Sequence, residues 1–274
     1  MRFLNLLKIT NSKNRFKAYF ILLIGVFITL ALTVNTFYNV EKQKKHEFSE
    51  ACTDLNNKIE VRLHAHAQLL RNGAAFFESV DTVTRQQWEN FNKKSYIHKA
   101  LPGIQGLGYS LLITKEQLQK HIAHIQSEGF PNYTVHPVGD RELFTSIIFL
   151  EPFDVRNQRA FGYDMFSEPV RRKAMEVARD FNSAALTGKV LLVQETIEDV
   201  QAGTLMYVPV YKKGMPINTV DQRRAAIKGW VYSPYRMNDL MQGILGRWDL
   251  LAIDRIHLQV YDEHISADSL LFDS

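Results

Sequence analysis

From Ala18 to Val40 the chain reads AYFILLIGVFITLALTVNTFYNV, without a single charge. About 20 apolar residues carry a helix across the hydrocarbon core, so the run predicts a membrane span. A cleaved signal peptide would have an apolar region of about 7–15 residues followed by a small-residue cleavage site. Asn35-Thr36-Phe37-Tyr38 supplies none. The pattern then changes. From Glu41 no Gly or Pro occurs before Gly73, and Phe48, Cys52, Leu55, Ile59, Leu63, His66, Leu70, Ala74 and Phe77 recur every three or four residues. That spacing is one stripe on a helix. Lys42, Lys44, Lys45, Glu47 and Glu50 flank its thin first half. Residues 41–80 therefore predict a stalk that leaves the membrane and docks its second half onto a folded domain. In a parallel homodimer of such stalks Cys52 would meet its twin; a half-buried free thiol is the alternative.

Beyond the stalk the periods of helix and strand alternate. Thr84-Arg-Gln-Gln87 has the form of a capping box and opens a helix through Trp88, Phe91 and Tyr96, which ends before Leu101-Pro102-Gly103. Ile104–Ile113 predicts a strand, Thr114-Lys-Glu-Gln117 caps a second helix, and Gly129 stops it. Strands are expected near Tyr133–His136 and Leu143–Leu150. Ser167 and Pro169 begin a helix over Glu168–Asn182, with Pro where its missing N–H costs little. Three apolar strands follow Gly188, at Lys189–Gln194, Thr204–Lys212 and Ala226–Ser233. Their links are short, which favours antiparallel pairing over crossovers of a dozen or more residues. The expected fold class is α+β, an antiparallel sheet with helices to one side.

Charge places this pattern in the cell. The chain has 33 basic and 29 acidic residues, and Arg2, Lys8, Lys13, Arg15 and Lys17 precede the span without an acidic neighbour. By the positive-inside rule residues 1–17 form a cytoplasmic tail, 18–40 cross the inner membrane in contact with lipid, and 41–274 lie in the periplasm. Removing the five cations from 33 leaves 28 against 29, so the basic excess belongs to the tail. A nucleic-acid partner, which needs a basic patch on the folded domain, is not expected. Arg223-Arg224 with Lys228 reads as a solvated face. Cys52 is the only cysteine, so no intrachain disulfide can form.

Candidate chemistry is sparse. His121 and His124 are one helical turn apart, but no third ligand has a suitable spacing for a metal. His64 and His66 point to different faces of their helix. Gly103-Ile-Gln-Gly-Leu-Gly108 enters a strand and does not open a helix, so it is not a dinucleotide fingerprint. No Gly-x-Ser-x-Gly elbow or P-loop occurs. Catalysis, a metal and a cofactor are not expected within these residues. One carboxylate stands out: Asp164 in FGYDMFSEPVRRKAM (161–175), flanked by Phe161, Tyr163, Met165 and Phe166 just before a helix. A buried carboxylate is costly unless paired, so it is either a helix cap or the partner of a ligand in an aromatic cleft.

The order of several pieces resembles a known family. They are Gly106-Leu-Gly-Tyr109, Asp164-Met165 before an acidic residue and a helix, Gly188-Lys189-Val190, Pro209-Val210-Tyr211-Lys212, and Arg223-Arg-Ala-Ala226 leading to Gly229-Trp230-Val231. Together they resemble CHASE, the extracellular sensor module of plant cytokinin-receptor kinases, bacterial histidine kinases and nucleotide cyclases. The resemblance covers roughly residues 60–274. It implies a long helix followed by tandem PAS-like antiparallel sheets with flanking helices: residues 81–235 as the membrane-distal, ligand-binding part, and 236–274 as the start of a membrane-proximal part whose sheet is incomplete. Ile253–Asp262 and Leu270–Phe272 would begin that second sheet. In the plant receptors an Asp in the matching segment accepts hydrogen bonds from the hormone's adenine, which implies a ligand-binding role for Asp164. Phe161, Tyr163, Met165, Val193, Tyr207 and Val208 are the matching candidates for the pocket walls. The segment after Gly188-Lys189, here Val190-Leu-Leu-Val-Gln-Glu195, lacks the family's Thr and Pro, which argues against a cytokinin. The expected function is a periplasmic small-molecule sensor, the N-terminal part of a two-component histidine kinase or a diguanylate cyclase. The chain stops at Ser274 without a second span or output domain, which predicts a fragment of a longer protein or a truncated gene. The alternative is a membrane-anchored dimerisation scaffold without a ligand.

Overall fold

A computed structural model describes residues 12–95, 103–195, 200–245 and 256–274. Its longest element is helix α1, Ser12–Ser79. The chain divides into two compact units, 1–56 and 57–274. In the first, every side chain described from Arg15 to Glu50 is exposed, including the apolar run of the expected span. Water would not tolerate so much exposed Ile, Leu and Phe on one helix, whereas lipid would.

The second unit begins with the end of α1 and continues with α2 (Arg85–Lys94), β1 (Leu107–Thr114) and α3 (Leu118–Ser127). Then come β2 (Leu143–Glu151), α4 (Pro169–Phe181), β3 (Ala185–Leu186), β4 (Gly203–Tyr211) and α5 (Val220–Ala226). β5 (Ile227–Arg236), α6 (Met237–Leu245), β6 (Gln259–Tyr261) and β7 (Leu270–Asp273) complete it. Five strands form one antiparallel sheet in the order β2-β1-β5-β4-β3, and β6 pairs with β7 in a second, two-stranded sheet. The α+β class and the two antiparallel sheets are as the sequence predicts.

Each face of the large sheet has its own cover. Of the second half of the predicted stripe, His66, Leu70, Ala74 and Phe77 of α1 are buried, and Ala67 beside them. Phe77 stacks on Tyr109 of β1 with ring centroids 4.0 Å apart. Gly73 lies so close to Val231 of β5 that a Cβ there would sit 3.1 Å from the valine Cγ1. On the opposite face α4 buries Arg171, Ala174, Met175 and Ala178, and the indole N–H of Trp230 donates to the Met175 carbonyl at 2.9 Å.

Both predicted capping boxes form, at Thr84/Gln87 and Thr114/Gln117, although the second opens a 3-10 turn before α3. Gly129 has φ +100°, which suits a helix stop. Helices cover both faces of the sheet, α1 one and α4 the other, where the sequence predicts helices to one side, and four further expectations differ. Residues 133–136 form no strand; His136 makes a single parallel bridge to Tyr163, and Pro131 and Pro137 remove donors that a ladder would need. Residues 189–194 likewise contribute one bridge, Val190 to Gly203, and the edge strand is Ala185–Leu186. The cap of α4 is Glu168, whose carboxylate accepts from the amides of Val170 and Arg171; Ser167 instead donates its hydroxyl to the Asp164 carbonyl. Arg223 and Arg224 do not form a bare solvated face: Arg223 donates to the Asp180 carbonyl and Arg224 pairs with its carboxylate, joining α5 to the end of α4. The predicted helix end at Tyr96–Pro102 and residues 253–255 of the predicted second sheet lie outside the described residues.

Candidate functional site

The local chain path around Asp164 starts at Gly162. Its φ is +86°, and a Cβ there would run into the Thr134 carbonyl, so only glycine lets this segment lie against residues 134–136. The His136 amide donates to the Gly162 carbonyl at 3.0 Å, and the Asp164 amide donates back to the His136 carbonyl at 2.6 Å. Asp164 is then placed, 0% exposed, as the cap of a 3-10 turn over Met165–Ser167. Its Oδ1 accepts from the Phe166 amide at 3.0 Å, the Thr145 amide at 2.8 Å and the Thr145 hydroxyl at 2.9 Å. Its Oδ2 accepts from Arg141 Nε at 3.1 Å and lies 3.0 Å from Nη2. The carboxylate therefore ties the 3-10 turn to β2 and carries the mostly buried side chain of Arg141 on its outer side. In this geometry it acts as a cap, and a ligand would reach it only by displacing Arg141.

Register sorts the other candidates by face. Gly108 pairs with Tyr232, Ser110 with Trp230 and Tyr207 with Tyr232, so these side-chain positions share the face under α4. Tyr163, Met165, Val193 and Tyr207 gather in this cluster with Trp230 and Tyr232. The Tyr207 hydroxyl donates to the Met165 sulfur at 2.9 Å. Val208 pairs with Val231, the residue against Gly73 of α1, so it stands on the opposite face. Adjacent residues of a strand cannot line one pocket, and Val208 is not brought together with Tyr207. Phe161 is elsewhere again, with Phe130, Tyr133 and Phe153, beside a cavity of about 490 Å³.

Arg171 was not among the candidates, yet it lies at the centre of the cluster. It is 4% exposed. Nη1 donates to the Tyr163 hydroxyl at 3.0 Å, Nη2 donates to the Leu191 carbonyl at 2.7 Å, and the guanidinium lies 5.1 Å from the centre of the Tyr163 ring. Its nearest carboxylate, Glu168, is 3.8 Å away and is already engaged in capping. The signal was available, because Arg171 falls on the same helical stripe as Ala174, Met175 and Ala178, where a cation is out of place. Tyr232 was missed as well. It is 1% exposed, and its ring lies over Gly108, where a Cβ would collide with it. Among the described residues the hydroxyls of Tyr232 and Ser110 have no hydrogen-bond partner. Burial pushes the Tyr207 and Tyr232 hydroxyls well above the usual phenol range, so both remain neutral donors.

Leu191 separates this cluster from a cleft of about 520 Å³, lined by Lys189–Leu191, residues 200–202, Asn238 and residues 270–273 of β7. The covering segment 187–195 is anchored at both ends. The Lys189 amide donates to Asp262 Oδ2 at 2.8 Å, in the small sheet, and a Cβ on Gly188 would collide with that carboxylate. At the other end Glu195 accepts from Arg156 Nη2 at 2.8 Å and from Arg236 Nε at 2.9 Å. Arg236 also pairs with Asp239 at the start of α6 at 3.0 Å.

The second unit is thus a long helix feeding a five-stranded antiparallel sheet, with a second small sheet after it and an arginine buried under one helix. The CHASE domain family model matches residues 81–272, and the chain belongs to that family. CHASE is an extracellular, non-catalytic sensory domain, and a small-molecule ligand follows from that class. No curated protein matches the chain. Among solved structures it is similar to the ligand-binding domain of the amino acid chemoreceptor PctC of Pseudomonas aeruginosa PAO1 in complex with GABA, at 11% identity and TM-score 0.46, over 81% of this chain and 73% of that one.

Proposed function

We propose that this chain is the periplasmic sensing part of a membrane-bound receptor, held in the inner membrane by residues 18–40 with residues 1–17 in the cytoplasm. The five cations before the span and the exposed apolar helix support that orientation. Residues 81–235 are the ligand-binding part and 236–274 begin the membrane-proximal part. The ligand lies under α4 against Tyr163, Met165, Val193 and Tyr207, while Asp164 holds the turn that carries the first two in place. The output is a histidine kinase or diguanylate cyclase elsewhere in the same receptor, and the stalk over 41–80 makes the homodimer that such outputs use.

The observation that carries the reading is the polar centre under α4. A guanidinium short of negative charge and the unpartnered Tyr232 hydroxyl are costly in a dry core, and a site kept for a ligand explains them. The covering segment then couples the site to the small sheet through Asp262 and to α6 through Glu195. The test is a thermal-shift screen of the full chain in detergent against metabolites. A ligand at 100 times its Kd should stabilise the native state by about 2.7 kcal/mol. The reading requires that Tyr207→Ala abolish the effect of any hit; a hit indifferent to Tyr207 would place binding elsewhere.

A further inference from the structure

Which chemical class would fill the centre under α4 follows from what its groups lack. Arg171 presents five N–H donors on a planar fork, and in this chain they meet one hydroxyl, one carbonyl and a carboxylate 3.8 Å away. Glu168 spends both its oxygens on the first amides of α4. The buried cation is therefore short of negative charge, although it is only 4% exposed. The same cluster holds the aromatic and apolar groups Tyr163, Met165, Tyr207 and Trp230, together with the Tyr232 hydroxyl, which has no partner among the described residues. The Tyr207 and Tyr232 rings lie 6.1 Å apart between centroids, and the Tyr207 hydroxyl donates to the Met165 sulfur at 2.9 Å, two residues along the chain from the Tyr163 whose hydroxyl Arg171 meets.

We propose that the ligand is a small apolar or aromatic monocarboxylic acid, whose carboxylate pairs with Arg171 and accepts a hydrogen bond from the Tyr232 hydroxyl. This rests on the site assigned above and names its ligand class. A single carboxylate matches a single guanidinium in charge and in its forked geometry. A phosphate would bring a second negative charge next to Glu168. The apolar body of the acid replaces contacts among the rings. Arriving at Arg171, the carboxylate competes with the Leu191 carbonyl for Nη2, which loosens the covering segment at its middle while Asp262 and Glu195 hold its ends. Binding thus favours a different arrangement of that segment by as much as the acid prefers it.

The test uses the full chain in detergent micelles at constant ionic strength, with the probes sodium phenylacetate and sodium 4-methylpentanoate, their primary amides, and inorganic phosphate. Both acids should raise Tm at millimolar concentration, whereas the amides and phosphate should not. Arg171→Gln should abolish the rise. Because that variant could fold poorly, Tyr232→Phe is the second arm: it removes only an unpartnered hydroxyl, so the unliganded Tm should hold, while affinity for the acids should fall about 5–10-fold. Amides as effective as acids, phosphate alone reproducing the rise, unchanged affinity in Tyr232→Phe, or no response to either acid would overturn the carboxylate proposal. The site itself falls separately: an uncharged hit that needs Tyr207 would leave it standing, and one that ignores Tyr207 would remove it.

Discussion

Asp164 is the residue on which sequence and structure bear together. Its five hydrogen-bonding contacts join a 3-10 turn, β2 and Arg141. Asp164→Ala should therefore cost about 3 kcal/mol, since it leaves Thr145, Phe166 and Arg141 donors without their acceptor. Asp164→Asn keeps one carbonyl oxygen but turns an amide towards Arg141, and should cost about 1.5–2 kcal/mol. Denaturant unfolding of the two variants gives both figures. If Asp164→Asn instead keeps full stability and loses ligand affinity, the carboxylate is an anchor and not a cap. A second residue-scale outcome concerns His66. Burial, with Arg62 nearby, lowers its pKa from 6.5 to about 4. On acidification the unfolded chain takes the proton first, so this contribution is complete above about pH 6.5 and is lost as pH falls towards about 4. His121 is lowered in the same direction, to about 4, mainly by burial. His66→Met should retain up to about 3 kcal/mol more stability than the parent between pH 7 and pH 4, relative to each protein's own value at pH 7. Parallel pH profiles would mean that His66 does not enter the folded state neutral.

At the scale of elements, the readable signals were those with a local cause. The capping boxes at Thr84 and Thr114, Gly129, and the stripe from His66 to Phe77 each depend on neighbours within one or two turns, and each appears in the fold. The segment 189–194 shows where such reasoning stops. Val190 and Leu192 are buried and Leu191 is exposed, so the alternation is real. It records burial on one side, which a covering segment produces as well as a strand does, and only the chain path decides which. Thr219-Val-Asp-Gln222 is a capping box that opens α5, a local signal of the same kind as those at Thr84 and Thr114. Tyr232 is hidden for another reason: its meaning comes from what faces it across the sheet, and that is tertiary, whereas the cation of Arg171 on an apolar helical stripe is a local signal. Every side chain from Glu41 to Glu50 in the first half of the stalk is exposed, and Cys52 there is half-buried. If 41–80 pairs in parallel, two Cys52 thiols come within bridging range, with Cα atoms within about 7 Å. Mild oxidation of membranes should give a covalent dimer that Cys52→Ser abolishes. A monomer, under oxidation that cross-links a control pair, would exclude the parallel seam.

For the whole molecule the claim is that a ligand held under α4 is felt in the small sheet. The path runs through residues 187–195. Arg171 holds its middle at Leu191, Asp262 of the small sheet holds Lys189, and Glu195 binds Arg236, which pairs with Asp239 at the start of α6. Family membership and charge pattern were legible in the sequence; this wiring was not, because it joins residues up to 73 positions apart. The most direct measurement is hydrogen–deuterium exchange of the full chain with and without the compound that most raises Tm. The account predicts changed exchange in 163–175, 187–195 and 205–207, and with them in 259–273. Protection confined to the cavity around Phe161, or a change under α4 that leaves 259–273 untouched, would contradict it.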